Sequence, residues 1–176
     1  MLKTRQAVVW ALGIMGCVPE FDGQTEAGGF GVGDVVPETR MLDQTGEEIS
    51  LRDFDGDVVL LDISTMWCAP CQEVASHAEE TFLDYRDDGF MYVTVLQEDV
   101  HAKPPNQGDL EEWASSFGMT SPVLADGGAP EERITASAIE NGQFPAILII
   151  DRKGKVVERV GATDDATVRS AIERAL

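Results

Sequence analysis

Residues 58–63 read VVLLDI, a continuous apolar run that contains a single carboxylate. A strand with one solvent-facing side alternates apolar and polar residues, so this run predicts a strand that is covered on both faces. Such strands lie at the centre of α/β sheets, with helices packed against them. Because Trp67-Cys68-Ala69-Pro70-Cys71 follows shortly after, a pair of cysteines is expected just beyond the end of a buried strand.

Downstream patterns extend this α/β interpretation. Apolar residues at helical spacing predict one helix from near Cys68 to the stop at 87–89, and Asp109 is expected to cap a second. A third helix is predicted to start with Pro130 at its first position and to end before Gly142, and Thr163 is expected to cap the last. Further strands are predicted at 90–96, 122–125, 146–150 and 155–160, and a small hairpin within 40–51.

The net charge of this 176-residue chain is -19. A length of this order suits one domain with its own core. Nucleic acids and anionic membranes bind clustered Lys and Arg, whereas the 13 basic residues here are scattered. Composition therefore argues against a nucleic-acid partner.

The N-terminal segment, MLKTRQAVVWALGIMGC, predicts export from the cytoplasm. Lys3 and Arg5 precede an uncharged run that is too short to span a bilayer, as in a secretory signal peptide. Ile14-Met15-Gly16-Cys17 resembles a bacterial lipobox, although Met15 departs from the usual small residue. We therefore expect a lipoprotein signal peptide at 1–16, a lipid-anchored flexible linker at 17–32 that begins with lipidated Cys17, and one domain at 33–176. An ordinary cleavable signal and an uncleaved anchor are the alternatives.

Lipid on Cys17 would leave two of the three cysteines, Cys68 and Cys71. An exported protein can form disulfides. A bridge across two intervening residues closes too small a loop to stabilise a fold much, so a functional pair is favoured over a structural one.

Three segments resemble the thioredoxin superfamily, in particular its membrane-anchored redoxin branch that includes TlpA and ResA proteins. They are VVLLDISTMWCAPC, GQFPAILIIDRKGKVVERVGA and the upstream GDVVPETRMLDQTGEEISLRDFDGDVVLLD. The resemblance covers about residues 33–176. It implies a thioredoxin-like fold, a central mixed β-sheet flanked by helices on both faces, and a thiol-disulfide oxidoreductase that needs no cofactor.

A redox pair of this kind divides the chemistry between its two cysteines. Cys68, at a helix N-terminus, would be the nucleophilic thiolate, since helix N–H groups and the dipole favour the anion. Cys71, one turn along, would resolve the mixed disulfide. Ala69 and Pro70 would help set the redox potential and contact substrate, but a CxxC motif alone does not determine the direction of electron flow.

By resemblance, Asp62 matches the buried acid of thioredoxin and would carry the proton that Cys71 loses. A solvent-facing aspartate at the strand end is the alternative. Trp67 and Phe144 would contact substrate. Pro145 is implied to follow a cis peptide bond, where a substrate chain could pair with exposed backbone.

Two positions depart from the related proteins. Ser76 stands where many relatives have a proline, which puts the usual helix kink in doubt. Val74 stands where many ResA-like proteins have a glutamate, and Glu73 lies one residue early. Asp62 is thus the expected acid of the site.

Other functions remain open from sequence alone. A non-catalytic binding module or metallochaperone would bind metal through Cys68 and Cys71, but His77 and His101 supply a second pair of zinc ligands poorly, so no metal site is expected. A thiol peroxidase is the third functional hypothesis. Expected partners are proteins with disulfides or dithiols, apocytochromes among them, and a membrane thiol reductant, on the periplasmic side of a bacterial membrane.

Overall fold

The computed structural model describes residues 28–176, which build a five-stranded central sheet and a separate hairpin. The hairpin pairs β1 (Met41–Leu42) with β2 (Glu48–Ile49), and the predicted turn between them closes where the Gly46 N–H donates to the Asp43 carbonyl at 3.0 Å. The sheet contains β3 (Val58–Ser64), β4 (Phe90–Leu96), β5 (Val123–Ala125), β6 (Ala146–Ile150) and β7 (Val156–Val160). Its order is β5-β4-β3-β6-β7, with β3 parallel to β4 and antiparallel to β6. The predicted mixed sheet is confirmed.

Within residues 28–176, four α-helices pack on one face of this sheet. They are α1 (Ala69–Ala75), α2 (Ala78–Tyr85), α3 (Gln107–Phe117) and α4 (Asp165–Ala175), and their buried residues form one core with Leu60, Tyr92 and Ile147. The opposite face is covered by the N-terminal segment, by the hairpin and by 3-10 turns at Leu51–Phe54 and Ala136–Ala138. Phe30 is buried in this second core, so the folded part already includes it.

The predicted helix from Cys68 to residue 86 is two helices, α1 and α2, so the single-helix prediction is wrong. The Ser76 hydroxyl donates to the Glu73 carbonyl at 2.6 Å, and the His77 N–H donates three residues back, to the Val74 carbonyl at 3.1 Å. These bonds tighten the last turn of α1 and end it. A helix break is therefore present at Ser76, where the sequence has no proline.

The prediction of a helix that starts at Pro130 is also wrong. Pro130 does occupy a first position, but of a 3-10 turn at Pro130–Glu132, followed by the second turn at Ala136–Ala138. The buried Asp126 carboxylate accepts hydrogen bonds from the N–H groups of Ile134 (2.9 Å) and Thr135 (2.7 Å). An α-helix would need those N–H groups for its own carbonyls, so the segment cannot continue as a helix.

Both predicted helix caps are displaced. Asn106 caps α3, because its side-chain oxygen accepts from the Gly108 N–H at 2.8 Å, and its own N–H donates to Asp109 Oδ2 at 2.7 Å. Asp164, one residue after Thr163, caps α4 by accepting from the Thr167 N–H. On α4 the buried stripe is Val168, Ala171 and Ile172, whereas Leu176 follows the helix and is exposed.

The predicted signal peptide at 1–16, the lipidation site Cys17 and most of the predicted linker lie outside the described residues. Among residues 28–176, the structure has no helix that combines the length and the apolar character needed to cross a bilayer.

Candidate active site

Cys68 and Cys71 are joined by a disulfide at the start of α1. Cys68 is the cap of this helix, and its sulfur accepts from the Cys71 N–H at 3.3 Å. Cys71, one turn along, is completely buried, while Cys68 retains 5% exposure. An incoming disulfide can therefore approach Cys68 but not Cys71 without rearrangement.

The two residues between the cysteines lie at the surface. Ala69 and Pro70 begin α1 and are exposed. A proline in the first turn loses no helical hydrogen bond, because the N–H groups there have no helical acceptor. The motif thus continues directly into a helix while both intervening residues face solvent.

The Phe144–Pro145 peptide bond is cis, as the resemblance implied. Pro145 lies immediately before β6, whose first residue Ala146 pairs with Ile63 near the end of β3. A groove of about 450 Å³ runs beside it and is lined in part by Pro70, Phe144 and Pro145. The segment at 161–163 forms another wall of the groove.

Trp67 is half exposed, at 49%, next to the disulfide. Its ring stands edge-on to Phe144, with ring centroids 6.0 Å apart. The indole N–H donates to Glu98 Oε2 at 2.8 Å. This large aromatic surface is therefore held beside the groove rather than free in solvent.

Asp62 is completely buried on β3. Alternation along the strand places its side chain on the face of Leu60, which is the face covered by Cys71 and the helices. In the sheet it lies opposite Ile147 of β6 and Thr94 of β4. The alternative of a solvent-facing aspartate is wrong.

Burial raises the pKa of Asp62 from 3.8 to about 7, because water no longer stabilises the carboxylate. Two hydroxyls oppose this rise: Ser64 donates to Oδ1 at 2.6 Å, and Tyr92 also lowers the pKa. Neither the Tyr92 hydroxyl nor Asp62 Oδ2 has a partner at hydrogen-bond distance within the described residues. Burial and the Asp62 charge raise the pKa of Tyr92 well above its usual value, so Tyr92 stays neutral.

Residues 32–159 match the sequence pattern of the AhpC/TSA family. The chain belongs to the AhpC/TSA family. Similar curated proteins include the thiol-disulfide oxidoreductase ResA of Geobacillus thermodenitrificans, 29% identical over 79% of this chain and 74% of that protein. ResA of Bacillus anthracis is 26% identical over 73% of this chain and 69% of its own length.

Solved structures with the same fold include the thioredoxin domain of a thiol-disulfide oxidoreductase from Bacteroides vulgatus. Its TM-score is 0.67 at 20% identity, over 83% of this chain and 99% of that one. A putative thiol:disulfide interchange protein DsbE from Chlorobium tepidum has a TM-score of 0.65 at 23% identity, over 83% and 95% of the two chains. The prediction of a ResA-like thiol-disulfide oxidoreductase within the thioredoxin superfamily is confirmed.

Two residues near the site of this AhpC/TSA family member, Glu98 and Tyr92, were not predicted from the sequence. Glu98 follows β4, and β4 is the parallel neighbour of β3. Since parallel strands end at the same edge of a sheet, a polar residue just after β4 could have been expected near the end of β3, where the cysteine pair follows. Tyr92 lies two residues before Thr94, the partner of Asp62, and hence on the same face.

The two histidines of the AhpC/TSA chain lie in different places. His77 is partly buried at the N-cap position of α2, and His101 is exposed in the loop after β4. Within residues 28–176, no three His, Cys, Asp or Glu side chains are grouped so that they could hold a metal ion.

Proposed function

We propose that this protein reduces disulfide bonds in other proteins outside the cytoplasm, while a lipid on Cys17 tethers it to a membrane. The observation that carries the proposal is the Cys68–Cys71 pair at the start of α1, beside the groove at Pro145 and on the face of the sheet that buries Asp62. The names of the ResA relatives support the same reaction class.

In the reduced protein, the Cys68 thiolate attacks one sulfur of a substrate disulfide. A mixed disulfide forms, the substrate S–S bond breaks and one substrate thiolate leaves. Cys71 then gives its proton to the Asp62 carboxylate, and its thiolate attacks the Cys68 sulfur. The second substrate thiolate leaves, so two electrons have passed to the substrate and Cys68–Cys71 is oxidised.

Asp62 suits this role because its pKa lies near neutrality. A carboxyl with a pKa of about 7 is present in both protonation states at physiological pH, so it can take a proton from Cys71 and later release it. A base with the ordinary pKa of 3.8 would be a much weaker acceptor.

The groove offers the substrate a place to dock. A segment that carries the target disulfide would lie along Pro70, Phe144 and Pro145. Trp67 stands edge-on to Phe144 and would contact the substrate beside the groove. Apocytochromes, which need reduced thiols for haem attachment, are a candidate client. A membrane thiol reductant would return Cys68–Cys71 to the dithiol form, because each reduction of a substrate leaves the pair oxidised.

The catalytic part of the proposal is tested with purified wild type, Cys68→Ser and Cys71→Ser proteins. Wild type is expected to catalyse insulin reduction by dithiothreitol, and both variants should lose that activity. Cys71→Ser should accumulate mixed disulfides through Cys68, detectable by mass spectrometry. No catalysis by wild type together with no Cys68 adducts would overturn the proposal, and the redox potential of the pair distinguishes reductase from oxidase.

The tether is tested separately in cells fed with radiolabelled palmitate. Label is expected in wild type and not in the Cys17→Ala variant. Label retained in Cys17→Ala would refute lipidation at Cys17 but leave the redox proposal unaffected.

A further inference from the structure

The indole of Trp67 is held by a carboxylate that is itself held by a buried guanidinium. Glu98 Oε2 accepts from the Trp67 indole N–H at 2.8 Å, and Glu98 Oε1 accepts from Arg133 Nη2 at 3.0 Å. Only 7% of the Arg133 side chain and 17% of the Glu98 side chain are exposed. Each oxygen of Glu98 therefore has one partner, and the carboxylate has one orientation that satisfies both.

Arg133 is fixed in turn by the residues around it. Its Nη1 donates to Gln97 Oε1 at 3.1 Å, and Gln97 Nε2 donates to the Thr135 hydroxyl at 2.8 Å. The Thr135 hydroxyl and N–H both donate to Asp126. We call Gln97, Glu98, Asp126, Arg133 and Thr135 the Arg133 cluster; it extends from the segment after β5 to the edge of the active site.

We propose that Arg133 is a positioning residue for substrate binding, which acts through Glu98 to hold Trp67 beside Phe144 at the edge of the groove. The inference rests on the proposed function, since it assigns Trp67 to substrate contact. The Nη1 and Nη2 groups of Arg133 donate to Gln97 and Glu98 at the same time, and the single ammonium of a lysine cannot reproduce this geometry.

The physical reason lies in what Glu98 would do without Arg133. A carboxylate without its cation is better solvated when it turns toward water, particularly in a chain of net charge -19. The indole would then lose its acceptor, and half-exposed Trp67 would sample other rotamers. Substrate binding would have to restore one rotamer, which raises KM more than it lowers kcat.

The competing interpretation is that Arg133 only stabilises the segment around it. Arg169 is a matched control, because it is also mostly buried and pairs with Asp84 (2.7 Å) and Asp165 (2.9 Å) of α2 and α4. Among residues 28–176, its hydrogen-bond partners are Asp84 and Asp165, and neither Trp67 nor Phe144 is one of them. Arg169→Met thus removes the two ion pairs of another mostly buried arginine without touching the indole.

The test compares Arg133→Met, Glu98→Ala, the double variant and Arg169→Met with wild type. The indole N–H signals of the tryptophans are recorded by NMR in the oxidised protein, and a Trp67→Phe sample assigns the Trp67 signal. KM and kcat for insulin reduction are measured on the same proteins.

In Arg133→Met, the Trp67 indole proton should exchange with water faster and move toward the shift of free indole, and KM should rise about five- to tenfold with kcat nearly unchanged. The double variant should have the KM of Glu98→Ala alone, because Arg133 acts through Glu98. Arg169→Met should leave both readouts at wild-type values.

An unchanged Trp67 signal in Arg133→Met, or additive KM effects in the double variant, would overturn the proposal. The NMR measurement of the Trp67 indole does not depend on turnover. It therefore tests whether Arg133 holds Trp67 even if the proposed redox activity is absent. Should Arg133→Met fail to fold, Arg133→Lys replaces it, with the same shift expected in smaller measure and an unchanged signal again contradicting the proposal.

Discussion

The Ser64 hydroxyl donates to Asp62 Oδ1 at 2.6 Å, while Asp62 Oδ2 has no partner among residues 28–176. A single neutral hydrogen bond compensates poorly for removing a carboxylate from water. The imbalance keeps the pKa of Asp62 near 7, so the same burial that weakens the fold at high pH suits Asp62 to its proposed role as a base for Cys71.

Asp62 should make the oxidised protein less stable as pH rises. Its pKa is 3.8 when unfolded and about 7 when folded, so the folded state binds the proton more tightly. The stabilisation is complete below pH 3.8 and is lost as pH rises through 7, by about 3–4 kcal/mol between pH 4 and 8. Asn cannot ionise, so the free energy of unfolding of Asp62→Asn, measured with urea, should not show this loss as pH rises. Parallel pH profiles for the two proteins would contradict the raised pKa.

Asp62→Asn should slow the resolving step and spare the first attack. Without a proton acceptor for Cys71, release of the second substrate thiolate at pH 7 should slow by roughly 10- to 100-fold. Rapid-mixing experiments with reduced protein measure this step. The matched control places Asp62→Asn in a Cys71→Ser background, where the rate of Cys68 adduct formation should not change. Equal slowing of both steps would argue against a specific role in resolution.

Tyr92→Phe should raise the pKa of Asp62 above its wild-type value. The Tyr92 hydroxyl lowers that pKa, and its removal leaves Ser64 as the opposing group. Titration of the Asp62 carboxyl carbon by NMR in oxidised protein measures the change. Tyr85→Phe, which removes a hydroxyl bonded to Glu173 at 2.9 Å, is the control and should leave Asp62 unchanged. A lower pKa in Tyr92→Phe would mean that the hydroxyl does not stabilise the carboxylate.

Asp126→Asn should destabilise the fold by about 2–3 kcal/mol, because the buried carboxylate accepts from the N–H groups of Ile134 and Thr135 and from the Thr135 hydroxyl. Asp99→Asn is the control: Asp99 also accepts two backbone N–H bonds, but in an exposed loop, and its loss should cost less than about 1 kcal/mol. Urea unfolding compares both with wild type. Similar losses in the two variants would show that burial of Asp126 adds little.

Local sequence patterns were sufficient where a segment's own residues determine its structure. The apolar run at 58–63 became β3, and the motif that follows began a helix with Cys68 as its cap. The patterns failed at 130–141, where Asp126 takes N–H groups that a helix would need. They failed again at Ser76, whose hydroxyl ends α1 in place of a proline.

The sequence by itself determined the buried strand, the cysteine pair after it and the family to which the segments are similar, because these depend on residues close together in the chain. Only the tertiary structure decided the surroundings of the pair. Tyr92 lies 30 residues beyond Asp62, and Arg133 lies 35 residues beyond Glu98. The pKa of Asp62 and the orientation of Trp67 depend on such distant neighbours, since desolvation and hydrogen bonding act through space and not along the chain.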